Sequence, residues 1–200
     1  MSTIPEGATG APPLRTTPGQ TVGPFFHYGL PYDGDRDLVP PGSAGAVRLS
    51  GTVTDGAGNG LPDALVEIWQ ARPDGSVPRE AGSLRRDGWT FTGFGRASTG
   101  RDGRYTFSTL EPGPTEPGAA AFFAVTVFAR GLTDRLFTRA YLPDDAAALA
   151  ADRLLASLPA ERRATLIARR DGRGLEFDIR LQGEGETVFL DLSGYRARTP

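Results

Sequence analysis

Hydrophobic and polar residues alternate along several short stretches of the chain, which is the pattern of strands with one buried face. Residues 47–53 (VRLSGTV) carry apolar or small residues at every second position, and residues 175–182 (LEFDIRLQ) alternate in the same way. Residues 121–129 (AFFAVTVFA) are apolar at almost every position, which is typical of a central strand buried on both faces. Further strands are predicted at 64–71, 104–110 and 136–142.

Turn-forming and helical patterns separate and interrupt these strands. Glycine, proline and aspartate dominate the connections, as at 111–118 (EPGPTEPG). We interpret residues 93–100 (GFGRASTG) as a glycine-rich turn or bulge, because no lysine or strand–loop–helix unit supports a phosphate loop. Residues 144–158 space alanine and leucine as in a helix behind an acidic start. The sequence therefore predicts an all-β protein, a β-sandwich with Gly/Pro-rich turns, an N-terminal arm and a short helical insertion near 144–168.

The N-terminal segment has a different character, and we divide the chain into an arm and docking segment (1–46) and a β-sandwich domain (47–200). The first 20 residues are rich in Pro, Gly, Thr and Ser and cannot form a helix or a central strand. The stretch 22–32 (VGPFFHYGLPY) then brings four Phe and Tyr residues together. A solvated tail avoids aromatic residues, so we expect this arm to dock on its own domain or on a partner.

Composition excludes many function classes. A net charge of −2 without a basic block argues against nucleic acid and membrane partners. The absence of cysteine excludes thiol chemistry, and the absence of lysine excludes Schiff bases. No apolar run has the length of a membrane helix or signal peptide, so we expect a cytoplasmic protein.

Few residues are candidates for chemistry. His27, the only histidine, could be a metal ligand or a base, but a metal site needs three or four converging donors and only Tyr28 and Tyr32 are near in sequence. We favour a histidine hydrogen-bonded at a surface or interface. The acidic clusters 33–37 and 143–145 lack the spacing of a calcium loop. We therefore assign no catalytic residue and no metal ligand to this chain.

Arg130 is the exception, because it directly follows the apolar stretch 121–129. A guanidinium at the end of a buried strand can bind a carboxylate through two hydrogen bonds. A solvated arginine at a strand end is the alternative, and the residues alone leave both open. Judged from residues alone, the chain is a binding module or a non-catalytic subunit.

Five segments carry a resemblance to a known family. They are TPGQTVGPFFHYGL (17–30), GTVTDGAGNGLPDALVEIWQARPDG (51–75), GFGRASTGRDGRYTFSTLEPG (93–113), VFARGLTDRLFTRAYLPDD (127–145) and FDIRLQGEGETVFLDL (177–192). In this order they resemble the intradiol ring-cleavage dioxygenase family over residues 16–192. FARGL, FTRAYLPDD and FDIRLQGEGETVFLDL resemble the alpha chains of that family, which share the fold but hold no iron.

The resemblance also shows which family residues are missing. Iron-holding members bind Fe³⁺ with two tyrosines, one ahead of the G-x-G-R segment and one after the T-x-x-P-G turn, and with two histidines as H-x-H on the next strand. Here residues 83–92 and 110–118 contain no tyrosine, and Val125 and Val127 stand in place of the histidines. The resemblance therefore implies that Fe³⁺ is bound by a beta partner chain and not by this one.

The implied function is completion of that partner's active site. The alpha arm would lie against the beta chain, with Thr21, Gly23 and Pro24 shaping the pocket wall and Arg130 facing a substrate carboxylate. The implied reaction of the alpha/beta hetero-oligomer is intradiol cleavage of 3,4-dihydroxybenzoate by O₂ to 3-carboxy-cis,cis-muconate.

Two other hypotheses stay open at this point. One is a non-enzymatic β-sandwich binding or carrier module. The other is a self-sufficient dioxygenase with iron on His27, Tyr28 and Tyr32.

Overall fold

Two β-sheets pack face to face, as the sequence predicts. The computed structural model describes residues 19–23, 25–80 and 86–191. Within these residues the strands are β1 (Val47–Thr54), β2 (Leu65–Trp69), β3 (Phe94–Ser98), β4 (Arg104–Thr109), β5 (Phe122–Phe128), β6 (Leu136–Tyr141), β7 (Arg169–Asp171), β8 (Gly174–Glu176) and β9 (Ile179–Arg180). The helices are α1 (Phe26–Gly29), α2 (Ala146–Ala151), α3 (Arg153–Ala156) and α4 (Ala160–Ala164). The β-sandwich class is confirmed.

The first sheet has the order β4-β1-β8-β7, with β9 continuing beside β1, and the second has the order β3-β2-β5-β6. Strand β5 lies between β2 and β6, so the apolar stretch 121–129 is an interior strand as predicted. Its inward residues Phe123, Val125 and Val127 are at most 2% exposed. They meet Leu49, Val53 and other apolar residues of the first sheet in one core.

The glycine-rich segment 93–100 is not a turn or bulge; it contains strand β3, which pairs with β2 at the sheet edge. A Cβ atom on Gly95 would lie 2.3 Å from Cδ1 of Leu38. Position 95 requires glycine because the Leu38 side chain of the arm occupies the space that a larger residue would need. The local sequence pattern does not reveal this long-range contact.

The predicted strand 175–182 is interrupted between β8 and β9. The amide of Phe177 still donates to the carbonyl of Ser50, but the Asp178 carboxylate then accepts from the amide of Thr52 at 2.9 Å, so a side chain replaces the backbone in the ladder. Gly51 allows the backbone of Phe177 to lie close to β1, because a Cβ atom at position 51 would be 1.8 Å from the carbonyl oxygen of Phe177.

The predicted continuous helix 144–158 is also broken. Asp152 has extended backbone angles (φ −66°, ψ 126°), and its carboxylate accepts from the amide of Leu155 at 3.0 Å, so it caps the start of α3. The insertion buries Leu155 and Leu166 against Tyr141 of β6. No helix in the described ranges is long and apolar enough to cross a membrane.

Part of the arm belongs structurally to the sandwich. The amide of Leu38 donates to the carbonyl of Ser108 at 2.8 Å, and the amide of Ser108 donates to the carbonyl of Arg36 at 3.0 Å. Leu38 is 4% exposed and packs into the main core. The arm therefore docks on its own domain at this point, whereas its boundary at residue 46 stays a prediction.

Candidate functional site at the end of strand β5

The arm meets the sandwich at the turn that follows β5. The amide of Gly131 donates a 2.7 Å hydrogen bond to the hydroxyl of Thr21. Gly131 has φ +88°, a conformation that glycine adopts without strain, and this turn reverses the chain immediately after Arg130. Gly19 lies against the same turn, since a Cβ atom there would be 3.0 Å from the carbonyl oxygen of Thr133. Thr21 and Arg130, which are 109 positions apart in sequence, are therefore brought to the same end of strand β5. We call this end of the sheet, with Thr21, Arg130 and Gly131, the rim.

Arg130 combines exposure with a fixed anchor. Its Nη2 atom lies 2.8 Å from Oδ2 of Asp63, and 57% of the Arg130 side chain is exposed, against 15% for Asp63. A guanidinium has five N–H donors, so the contact with Asp63 leaves donors for another carboxylate. Asp63 has φ +61°, the one positive φ of a non-glycine residue in the described residues.

The other predicted wall residues are placed less completely. Gly23 is exposed, and a Cβ atom built on it has no neighbour within 4 Å. Its carbonyl accepts from the amide of Phe26 at the start of α1. Pro24 lies outside the described residues. The roles of Thr21, Gly23, Pro24 and Arg130 in substrate binding stay predictions.

The hypothesis of an iron site on His27, Tyr28 and Tyr32 can be compared with the surroundings of these residues. The His27 ring lies 4.0 Å from that of Tyr28, and its Nδ1 atom is shielded without a hydrogen-bond partner in the described chain. The ring of Tyr32 lies about equally close to two guanidinium groups, those of Arg86 (5.9 Å) and Arg96 (6.0 Å). Burial raises the pKa of Tyr32, although both cations oppose the shift. Two positive charges beside this phenol make the surroundings unfavourable for Fe³⁺.

The resemblance predicts that two of the iron-ligand positions of the family are occupied by apolar residues in this chain. Val125 and Val127 face the sandwich core opposite Ile68 and Val66 of β2. The segment after β4, where the resemblance would require a tyrosine, lines a pocket through Gly113 and Thr115, together with Trp69, Val77, Pro78 and Phe122. Among the described residues, no group of three or more His, Cys, Asp or Glu side chains could hold a metal ion. These residues do not fit an iron centre.

Three further residues, which were not candidates from the sequence, hold the arm: Arg86 and Arg96 bind its carbonyl groups, and Glu67 orients Arg96. Arg96 and Glu67 face each other across β3 and β2. Nη1 of Arg96 donates to the carbonyl of Leu30 at 2.8 Å. The sequence signal was limited to Glu67, a charged residue inside the largely apolar predicted strand 64–71, because the segment that holds Arg96 was predicted as a turn.

Comparison with known proteins agrees with this fold. A family model described as Dioxygenase matches residues 22–127. The chain belongs to this family, the intradiol dioxygenases, as its sequence motifs predicted.

Within the family the chain is similar to alpha chains in particular. It is 43% identical to the protocatechuate 3,4-dioxygenase alpha chain of Burkholderia cepacia over 196 residues, covering 90% of this chain and 98% of that one. It is 39% identical to the Pseudomonas putida alpha chain over 200 residues, with the same coverage. It is also 32% identical to the B. cepacia beta chain over 188 residues, covering 84% of this chain and 76% of that one.

A solved structure supports the same fold. The dioxygenase domain of a dioxygenase–carbohydrate-binding fusion from Streptomyces sp. SirexAA-E superimposes with a TM-score of 0.54 at 28% identity, covering 84% of this chain and 99% of that domain.

Proposed function

We propose that this chain is the alpha subunit, without iron of its own, of a protocatechuate 3,4-dioxygenase. With an iron-holding protocatechuate 3,4-dioxygenase beta chain it forms an alpha/beta hetero-oligomer in the cytoplasm. The assembly cleaves 3,4-dihydroxybenzoate with O₂ to 3-carboxy-cis,cis-muconate. The observation that carries the proposal is the match to alpha chains over almost their whole length. The burial of Val125 and Val127, which the resemblance places at two ligand positions, supports it.

The share of this chain in the reaction is binding and enclosure. Arg130, held at one edge by Asp63, binds the substrate carboxylate and so orients the ring. Thr21, Gly23 and Pro24 form part of the pocket wall and exclude water from the partner's metal. The Fe³⁺ of the beta chain supplies Lewis-acid chemistry when bound there.

Complementation of activity tests the proposal. We would measure O₂ uptake with 3,4-dihydroxybenzoate for this chain alone, for the beta chain alone and for the co-purified pair. The proposal expects uptake only for the pair. Uptake by this chain alone would favour the self-sufficient hypothesis, and a pair that neither assembles nor turns over would favour a binding or carrier module.

Removal of Arg130 tests its individual role in the assembled enzyme. Loss of a charged hydrogen-bonded contact costs about 2 kcal/mol, so Arg130→Met should raise the KM for 3,4-dihydroxybenzoate about 30-fold. Catechol lacks the carboxylate, and its KM should change by less than about twofold because the lost contact does not exist for it. Arg101→Met, in an exposed turn, is the matched control. Equal changes for the two substrates would contradict a carboxylate contact.

A further inference from the structure

The arm projects a short loop that is fixed at both ends. At one end the Thr21 hydroxyl accepts from the amide of Gly131. At the other end the Leu30 carbonyl accepts from Arg96. Between them lie α1 and two exposed aromatic side chains, Phe25 (73%) and Tyr28 (75%). These two contacts fix the ends of the loop, while Phe26 and His27 between them are partly buried.

The contact at Leu30 is made by a nearly buried ion pair. Nε and Nη2 of Arg96 lie 2.9 and 2.6 Å from Oε1 of Glu67, and the two side chains are 14% and 15% exposed. Glu67 thus fixes the plane of the guanidinium, and the remaining Nη1 atom points at the Leu30 carbonyl. A lysine could not reproduce this geometry, because one ammonium does not present a planar fork of donors.

A second arginine holds the next part of the arm. Nε of Arg86 donates to the carbonyl of Gly34 at 3.1 Å, and Nη2 donates to that of Asp35 at 3.0 Å. Nη2 also donates to the carbonyl of Phe94 in β3 at 2.7 Å. Residues 30–35 are therefore attached to β3 by the guanidinium groups of Arg86 and Arg96 and by the backbone amide of Arg96, which donates to the carbonyl of Asp35 at 2.9 Å.

We infer that Arg96, oriented by Glu67, is a positioning residue that sets the arm for its role at the partner's active site. The inference rests on the proposed function, because that proposal makes Thr21 and Gly23 part of the pocket wall. Arg96 itself contacts no substrate in this account. It acts through the Leu30 carbonyl, which fixes the end of the loop opposite the Gly131 contact.

This mechanism predicts a split between KM and kcat. When only a fraction of molecules holds the arm in the competent position, the apparent dissociation constant rises by the inverse of that fraction. A competent fraction of about one tenth would raise KM about tenfold. Saturating substrate shifts the population back to the competent arm position, so kcat should change by less than about twofold. A loss of folded protein would instead lower the apparent kcat and leave KM unchanged.

The test uses the double variant Glu67→Gln/Arg96→Met, which removes both charges and leaves no unpaired buried carboxylate. Arg169→Met is the matched control, since Arg169 pairs with Glu176 and Asp178 on the other sheet. If the double variant does not fold, Arg96→Lys replaces it. Hydrogen exchange is measured on the full-length chain alone, and KM and kcat on the complex with the beta chain.

The inference expects faster exchange confined to peptides covering residues 19–37, together with a raised KM at nearly constant kcat. Unchanged exchange in the arm, a uniform increase over the whole chain, or an unchanged KM would overturn it. A wild-type complex without turnover would instead refute the proposed function, and exchange in the isolated chain would still decide whether Arg96 holds the arm.

Discussion

The middle and the end of strand β5 have opposite characters. In the middle, Val125 and Val127 are 2% and 0% exposed and contribute to the main core. Only three residues after Val127, Arg130 has 57% of its side chain exposed. The arm reaches the turn after this strand through the hydroxyl of Thr21, which accepts from the amide of Gly131.

This difference shows where recognition can take place. The middle of the strand is filled by apolar packing and stabilises the fold. The guanidinium of Arg130 lies at the end of the strand, where another molecule can reach it. Under the proposed function, the chain acts through this exposed end and not through its interior.

The largest expected effect comes from returning imidazoles to the middle of β5. Val125→His/Val127→His would overpack the core and bury polar atoms without partners, costing about 4 kcal/mol or more of unfolding free energy. Urea unfolding measures the loss, and Val77→His, at a 61% exposed position, is the control. A double variant of wild-type stability that binds stoichiometric iron would contradict the account.

Next in size is the anchor of the arm. Leu38 is 4% exposed and occupies the space above Gly95, so Leu38→Ala should cost about 3 kcal/mol of unfolding free energy. Leu30→Ala removes a side chain that is 40% exposed and should cost less than about 1 kcal/mol. Equal losses, measured by urea unfolding, would mean that the arm is not anchored through Leu38.

A surface ion pair away from the rim should contribute less. Arg170 contacts both Asp144 and Glu111, and its hydrogen bonds hold the pKa of Asp144 below the ordinary carboxylate value. A lowered pKa in the folded state stabilises the fold above about pH 4 and ceases to do so as pH falls below it. Asp144 is half exposed, so the contribution is below about 1 kcal/mol.

The corresponding variant is Asp144→Asn. Its stability deficit relative to wild type should be present at pH 6 and shrink towards pH 2, measured by urea unfolding across that range. Asp134→Asn, at an exposed turn position, is the control. A deficit that stays constant down to pH 2 would show that the Asp144 charge is not the cause.

The smallest effect on the isolated chain is expected at the tip of the arm. Phe25→Ser/Tyr28→Ser changes two side chains that are 73% and 75% exposed, so its unfolding free energy should shift by less than about 0.5 kcal/mol. Exposed aromatic residues of this kind mark protein interfaces. Assembly with the beta chain, followed by sedimentation velocity, should therefore weaken while stability is retained. Unaltered assembly would place the interface elsewhere.

Sequence patterns predicted those parts of the fold whose causes are local. Strands β1, β4 and β5 follow directly from alternation or apolar runs between turn residues. Strand β3 was not predicted because its glycine at position 95 makes room for Leu38, a residue 57 positions away. The helix at 144–158 was overextended because Asp152 acts as a cap inside the pattern.

The candidate site divides in the same way. Arg130 was selected as a candidate because it directly follows an apolar strand, and its role stays a prediction. Its contact with Asp63 and the Thr21–Gly131 hydrogen bond join residues 67 and 110 positions apart, and no local pattern signals such pairings. The arm contacts of Arg96 also depend on how the chain folds back on β3.

Iron content is the most direct test of the central claim, that this chain completes the active site of another chain without forming a metal centre of its own. Iron would be measured by elemental analysis on the chain purified alone and on the co-purified pair. The account predicts no bound iron in the isolated chain and about one iron per alpha/beta pair, because Val125 and Val127, which the resemblance places at two ligand positions, are core residues without donor atoms. Stoichiometric iron in the isolated chain would contradict it.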